Sequence, residues 1–142
     1  MGDDAVGIRV VRMLRQRFPT KPELDFKELS VGGLRLVEEM AGYDTVFIVD
    51  SIATGDSQTG QIREFSLEDF KMTEQCSSPH ATNFATALEL YRRLEPNETP
   101  RSIKIFTIST HGEFTFREGL SPRVNEAALK VTDLIAGEIE QI

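Results

Sequence analysis

Apolar residues recur at Val6, Val10, Met13 and Leu14, with Arg9, Arg12, Arg15 and Gln16 between them. That spacing predicts a helix over Ala5–Phe18, ended by Pro19 and Pro22. Leu24–Ser30 (LDFKELS) alternates Leu24 and Phe26 with polar neighbours and reads as a half-buried strand. After Gly32-Gly33, LRLVEEM reads as a short helix that ends near Gly42. Thr45–Asp50 (TVFIVD) is a continuous β-branched apolar run closed by a carboxylate, the pattern of a strand covered on both faces. TGDSQTG is a turn, and Gln61–Leu67 alternates Ile62, Phe65 and Leu67 imperfectly, as a strand does near its end. Asn83–Leu94 returns to helical spacing through Phe84, Ala87, Leu88 and Tyr91. Ile103–Thr110 (IKIFTIST) is another strand. Ser121-Pro122 opens a last helix through Val124, Ala127, Ala128, Val131, Leu134 and Ile135, with Ser121 as N-cap. Ala127, Val131 and Leu134 are its expected buried residues.

Strands that alternate with helices place the chain in the α/β class. The expected architecture is a three-layer sandwich around a mostly parallel, twisted sheet. A length of 142 residues suits a single domain over 1–142 with a real core. The pattern asks for one more strand ahead of the first helix, and the sequence carries none there, so the sheet is expected to lack its usual first strand. An inner strand missing from a sheet exposes backbone edges, which favours a homodimer or a rearranged sheet. Ligands in such folds bind beyond the carboxyl ends of the strands, and that is where chemistry is to be sought.

Composition narrows the function. The formal net charge is −7, and basic residues are scattered, so a nucleic-acid footprint is not expected. Apolar runs are too short for a membrane span. A secretory leader is not expected, and Cys76 is the one cysteine, which excludes an internal disulfide. These features together suggest the cytoplasm.

The candidate chemistry lies at four places. Asp3 and Asp4 sit in the opening GDDAVG turn, where one acid suffices to cap the helix and the other can face a cleft. Asp50 closes an apolar strand; its structural alternative is an Asx turn with Ser51. His80 lies just before a helix in CSSPHATNF, and His111 follows a strand in THGEF. Two carboxylates and an imidazole suit a borderline divalent metal such as nickel or zinc. No HExxH, C-x-x-C or EF-hand pattern accompanies them. Cys76 lies four residues from His80 without marks of activation, and Ser51 and Ser109 lack a nucleophile elbow. GDDAVG is no phosphate loop, since its carboxylates repel phosphate.

Four stretches, in order, resemble the hydrogenase maturation endopeptidases: GDDAVGIRVVRML, TVFIVDSIATGDSQTGQIREF, SPHATNFATALEL and GLSPRVNEAALKVTDLI. These are the proteases that remove a C-terminal peptide from the large subunit of nickel–iron hydrogenases. The resemblance implies an aspartic-type endopeptidase in which Asp4, Asp50 and His80 contact a metal and carry catalysis, and it sets His111 aside. The implied metal is nickel carried by the hydrogenase large-subunit precursor, held poorly by the free protein. Family members usually begin with a strand and a Gly-Asn turn ahead of Gly-Asp-Asp. They also carry an Asp-Gly-Gly-Thr-like segment where this chain reads ELSVGGL, so that the nearest acid is Glu28. Two other classes stay open at this level: a relative that binds the hydrogenase subunit without cutting it, and a small metal-dependent hydrolase of other specificity. A flavodoxin-like nucleotide binder ranks below both.

Overall fold

The computed structural model describes residues 6–28, 33–53, 56–72, 79–110 and 121–142. In chain order the elements are α1 (Val6–Arg17), α2 (Gly33–Met40), β1 (Thr45–Ala53), a 3-10 turn (Asp56–Gln58), β2 (Ile62–Ser66), α3 (Leu67–Lys71), α4 (Pro79–Leu94), β3 (Ser102–Thr110) and α5 (Pro122–Glu140). The described strands form an open sheet in the order β1-β3-β2.

Hydrogen bonds at the strand ends give the directions. The backbone N–H groups of Arg101 and Ser102, where β3 begins, donate to the carbonyl of Asp44, where β1 begins, at 2.9 and 3.1 Å. Near the other end the Thr110 hydroxyl donates to the Ile52 carbonyl at 3.5 Å. β1 and β3 therefore run parallel, as expected. β2 does not follow them. Gly60 N–H donates to the Ser109 carbonyl at 2.7 Å, and Ser109 N–H donates to the Gln61 carbonyl at 2.9 Å. Two residues thus oppose one, with Gly60 at φ 86°, which is a glycine bulge leading into an antiparallel strand.

The described residues fall into two compact units. The first comprises Met1–Glu28, Val49–Glu64 and Phe106–Ile142. Within it α1 packs on α5. Val6, Val10 and Leu14 form the buried stripe of α1, and Val124, Ala127, Ala128, Val131, Ile135 and Ile139 belong to that of α5. The second unit comprises Leu29–Ile48 and Phe65–Ile105. There α2 packs on α4, and Val37, Met40, Leu67, Phe70, Phe84, Leu88, Ile103 and Ile105 share one apolar cluster. The Phe65 and Phe70 rings meet edge to face at 5.8 Å.

Several expectations change on the structure. Residues 24–28 form no strand. Leu24 and Phe26 are half-buried, as alternation requires, yet the segment is tied by side chains instead of a ladder. Glu28 pairs with Arg12 and Arg15, each at 3.1 Å, and Arg15 also donates to the Phe26 carbonyl at 3.0 Å. Residues 29 and 30 lie outside the described set. β1 continues three residues past Asp50 to Ala53, and its residues 45–52 are half-buried or exposed; the strand buried almost throughout is the central β3. Leu67 starts α3 instead of ending β2, because Ser66 caps the helix by accepting the Asp69 N–H at 3.2 Å. α4 begins at Pro79, four residues earlier than periodicity alone suggested, with proline at its first position. Ser121 occupies the N-cap of α5 without a side-chain capping bond. Leu134 is 48% exposed instead of buried, because it falls at the margin of the stripe, where short Ala127 is covered and a longer chain reaches solvent. Among the described residues no helix is long and apolar enough to cross a membrane.

Candidate functional site

Asp50 is the one expected site residue whose side chain is described. Thr45–Val49 form a strand because β-branched and aromatic residues suit a pleated surface, and Asp50 follows on the carboxyl-terminal half of β1, exposed. The Ser51 N–H donates to Asp50 Oδ1 at 2.9 Å, a bond to the adjacent residue, whereas an Asx turn uses the N–H two residues on. The bond orients one carboxylate oxygen by the strand's own backbone. β1 and β3 are parallel, so this end of β1 lies beside the carboxyl end of β3, where the Thr110 hydroxyl meets Ile52.

A second feature bears on the same strand and was not read as functional from the sequence. Gly7, in the first turn of α1, packs directly on the peptide carbonyl of Val49, the residue before Asp50. A Cβ on Gly7 would lie 2.7 Å from that oxygen. Only glycine allows so close an approach of helix to strand backbone. The sequence signal was the second glycine of GDDAVG, standing where an ordinary helix would carry a side chain.

His80 is the second residue of α4, so it lies inside the helix and not ahead of it. Its side chain is outside what is described. Asp4, together with Asp3, Cys76 and His111, also lies outside the described residues. Among the described residues no three His, Cys, Asp or Glu side chains converge as a metal-binding group.

The fold and the parallel strand pair with its carboxylate define the class as a mixed α/β protein with an open sheet. Comparison with known proteins then gives the family. The hydrogenase maturation protease family model matches residues 8–138. Comparison with curated proteins finds no match. Among solved structures, the fold is similar to the hydrogenase maturating endopeptidase HybD from E. coli, with TM-score 0.68 and 20% identity over 99% of this chain and 86% of that one. It is similar to the [NiFe] hydrogenase maturation protease HybD from Thermococcus kodakarensis, with TM-score 0.67 and 23% identity over 98% and 90%. The [NiFe] hydrogenase maturation protease HycI from Thermococcus kodakarensis KOD1 gives 0.68 and 21% over 96% and 83%. The chain belongs to the hydrogenase maturation protease family, and is therefore an enzyme of the protease class.

Proposed function

We propose that this protein removes the C-terminal peptide from the large-subunit precursor of a nickel–iron hydrogenase, in the cytoplasm and after nickel has been inserted. The family match over residues 8–138 carries the reading. In this reading Asp4, Asp50 and His80 engage nickel that belongs to the substrate, and one of the two carboxylates takes a proton from the attacking water. Two features of the described residues support it. Asp50 is exposed on the carboxyl-terminal half of a parallel strand, with one oxygen oriented by Ser51. Gly7 presses α1 onto Val49, and Asp4 is three residues upstream of Gly7.

The experiment is cleavage of the precursor, prepared with and without nickel and followed by the mass of the large subunit. Asp50→Asn preserves the fold and removes most cleavage, because an amide neither balances a metal's charge nor accepts a proton. His80→Ala does the same. Unfolding midpoints close to wild type establish that both variants remain folded. Equal cleavage of nickel-free precursor, or full activity in Asp50→Asn, overturns the metal-dependent reading and leaves the family assignment in place.

A further inference from the structure

The two sides of α4 differ. Phe84 and Leu88 are buried in the apolar cluster of the second unit, which fixes the inward side. Asn83, Thr86, Glu89, Leu90, Arg93 and Leu94 are exposed and form the outward side. Two of these are large and apolar: Leu90 is 53% exposed and Leu94 is 67% exposed. Helical spacing sorts the outward side into two edges. Glu89 and Arg93, one turn apart, share the first. Half-buried Ala87, with Leu90 and Leu94, follows the i, i+3, i+7 spacing of an apolar stripe and forms the second.

A groove of about 490 Å³ runs beside the charged edge, lined by Lys71, Ala85, Thr86, Glu89, Leu90 and Arg93. Lys71 lies 3.2 Å from the Glu89 carboxylate and holds it, yet the Glu89 side chain is still 49% exposed. Arg93 forms no ion pair among the described residues, in contrast to Arg92, which lies 3.9 Å from Glu68.

Symmetry decides what such a surface complements. In a parallel pair of identical helices, each edge meets the opposite edge; in an antiparallel pair about a two-fold axis, each edge meets its own copy. Parallel packing of α4 would lay leucines on charges. Antiparallel packing lays the apolar edge on itself and the charged edge on itself with the charges reversed in order. Centred near Leu90 and Tyr91, it brings Leu90 to the second copy's Leu90, Leu94 over the second copy's short Ala87, and Arg93 through the groove to the second copy's Glu89. One register satisfies both edges, which is the mark of a self-complementary surface.

We propose that α4 is the interface of a weak homodimer, in which two copies of this chain pack antiparallel across a two-fold axis near Leu90. The leucine edges supply apolar burial, and the two Arg93–Glu89 pairs set direction and register. One helix face is a small interface of the transient class, so the dissociation constant falls in the micromolar range. The contact is a helix face, and not the sheet edge from which the sequence suggested a dimer. It is independent of the protease reading.

The test is sedimentation velocity of the full chain over a series of concentrations that spans the micromolar range. The protein should sediment as one copy when dilute and approach two as concentration rises. Leu94→Asp weakens association by about tenfold or more through lost apolar burial, and Arg93→Glu does so by setting acid against acid at both charged contacts. Glu89→Lys has the same effect with base against base. The decisive arm mixes Arg93→Glu protein with Glu89→Lys protein. In the mixed pair an acid faces a base at both contacts, so the mixture associates more tightly than either variant alone. Unfolding midpoints close to wild type establish that these exposed substitutions leave the chain folded. A single copy at every concentration, association unchanged in Leu94→Asp or Arg93→Glu, or a mixture no tighter than its components overturns the proposal.

Discussion

Replacing Gly7 with alanine tests whether α1 is seated on β1 by backbone contact. The added Cβ would sit 2.7 Å from the Val49 carbonyl oxygen, about 0.7 Å inside the 3.4 Å at which ordinary contact begins. The obstacle is strand backbone, which cannot swing aside as a flexible side chain does. Either the first turn of α1 lifts, uncovering Val6 and Val10, or the Val49–Asp50 peptide rotates. Overpacking of this kind costs about 1–3 kcal/mol. Alanine regains about 1 kcal/mol through helix propensity and the unfolded chain, so the net loss is about 0–2 kcal/mol. Gly137 in α5 provides the internal control, since a Cβ there meets nothing within 4 Å. Gly137→Ala should stabilise by about 0.5–1 kcal/mol. The propensity gain is common to both variants, so their difference isolates the clash. For a chain of 142 residues that difference is roughly 4–12 °C in Tm. Thermal and urea unfolding of both variants measure it. An NMR spectrum of Gly7→Ala should also show the Asp50 amide displaced, because Asp50 shares the peptide that must give way. A Gly7→Ala protein as stable as Gly137→Ala refutes the close packing and with it the helix's role in positioning this strand.

Three further outcomes are expected. Val131, with 0% exposure in α5, should lose about 1–3 kcal/mol of stability on truncation to alanine, measured by urea unfolding, while the Asp50 amide stays in place; an unchanged midpoint contradicts its burial. Thr59→Val should raise the stability of the free protein by about 1 kcal/mol, since it deletes an unpaired buried hydroxyl at nearly constant shape, and a lower Tm would mean that the hydroxyl has a partner. The Arg12 and Arg15 side chains, by hydrogen bonding, hold the Glu28 carboxyl below the ordinary glutamate value of 4.5. A lowered value adds stability that is present above the unfolded value and is lost as pH falls through the folded value. The loss therefore comes below pH 4.5, and carboxyl NMR of Glu28 should titrate below that pH and move back up in Arg12→Gln; a midpoint at or above 4.5 in the wild type removes the pairing.

The amino-acid pattern by itself determined the elements whose burial is strongly one-sided or complete. α1, α4 and α5 carry apolar stripes at helical spacing, and β3 is rich in β-branched residues (Ile103, Ile105, Thr107, Ile108, Thr110), so each announces itself from the local pattern. The opening acids, Asp50 and His80 could be singled out because strand ends and helix starts meet at one side of an α/β sheet. Tertiary structure decided what depends on a neighbour distant in sequence. Residues 24–28 alternate like a strand, but alternation reports burial of one face and not a partner for the backbone, and here Arg12 and Arg15 hold the segment instead. The direction of β2 depends on the Gly60 bulge against Ser109, a pairing nearly fifty residues apart in the chain. Leu134 lies close to Ala127 on the helix, yet side-chain length at the edge of the stripe separates covered from exposed. The contact of Gly7 with Val49, and the groove where Lys71 meets Glu89, arise only when separate segments are brought to within a few ångströms. A one-dimensional pattern records how buried a position is; which atoms bury it is a property of the packed chain.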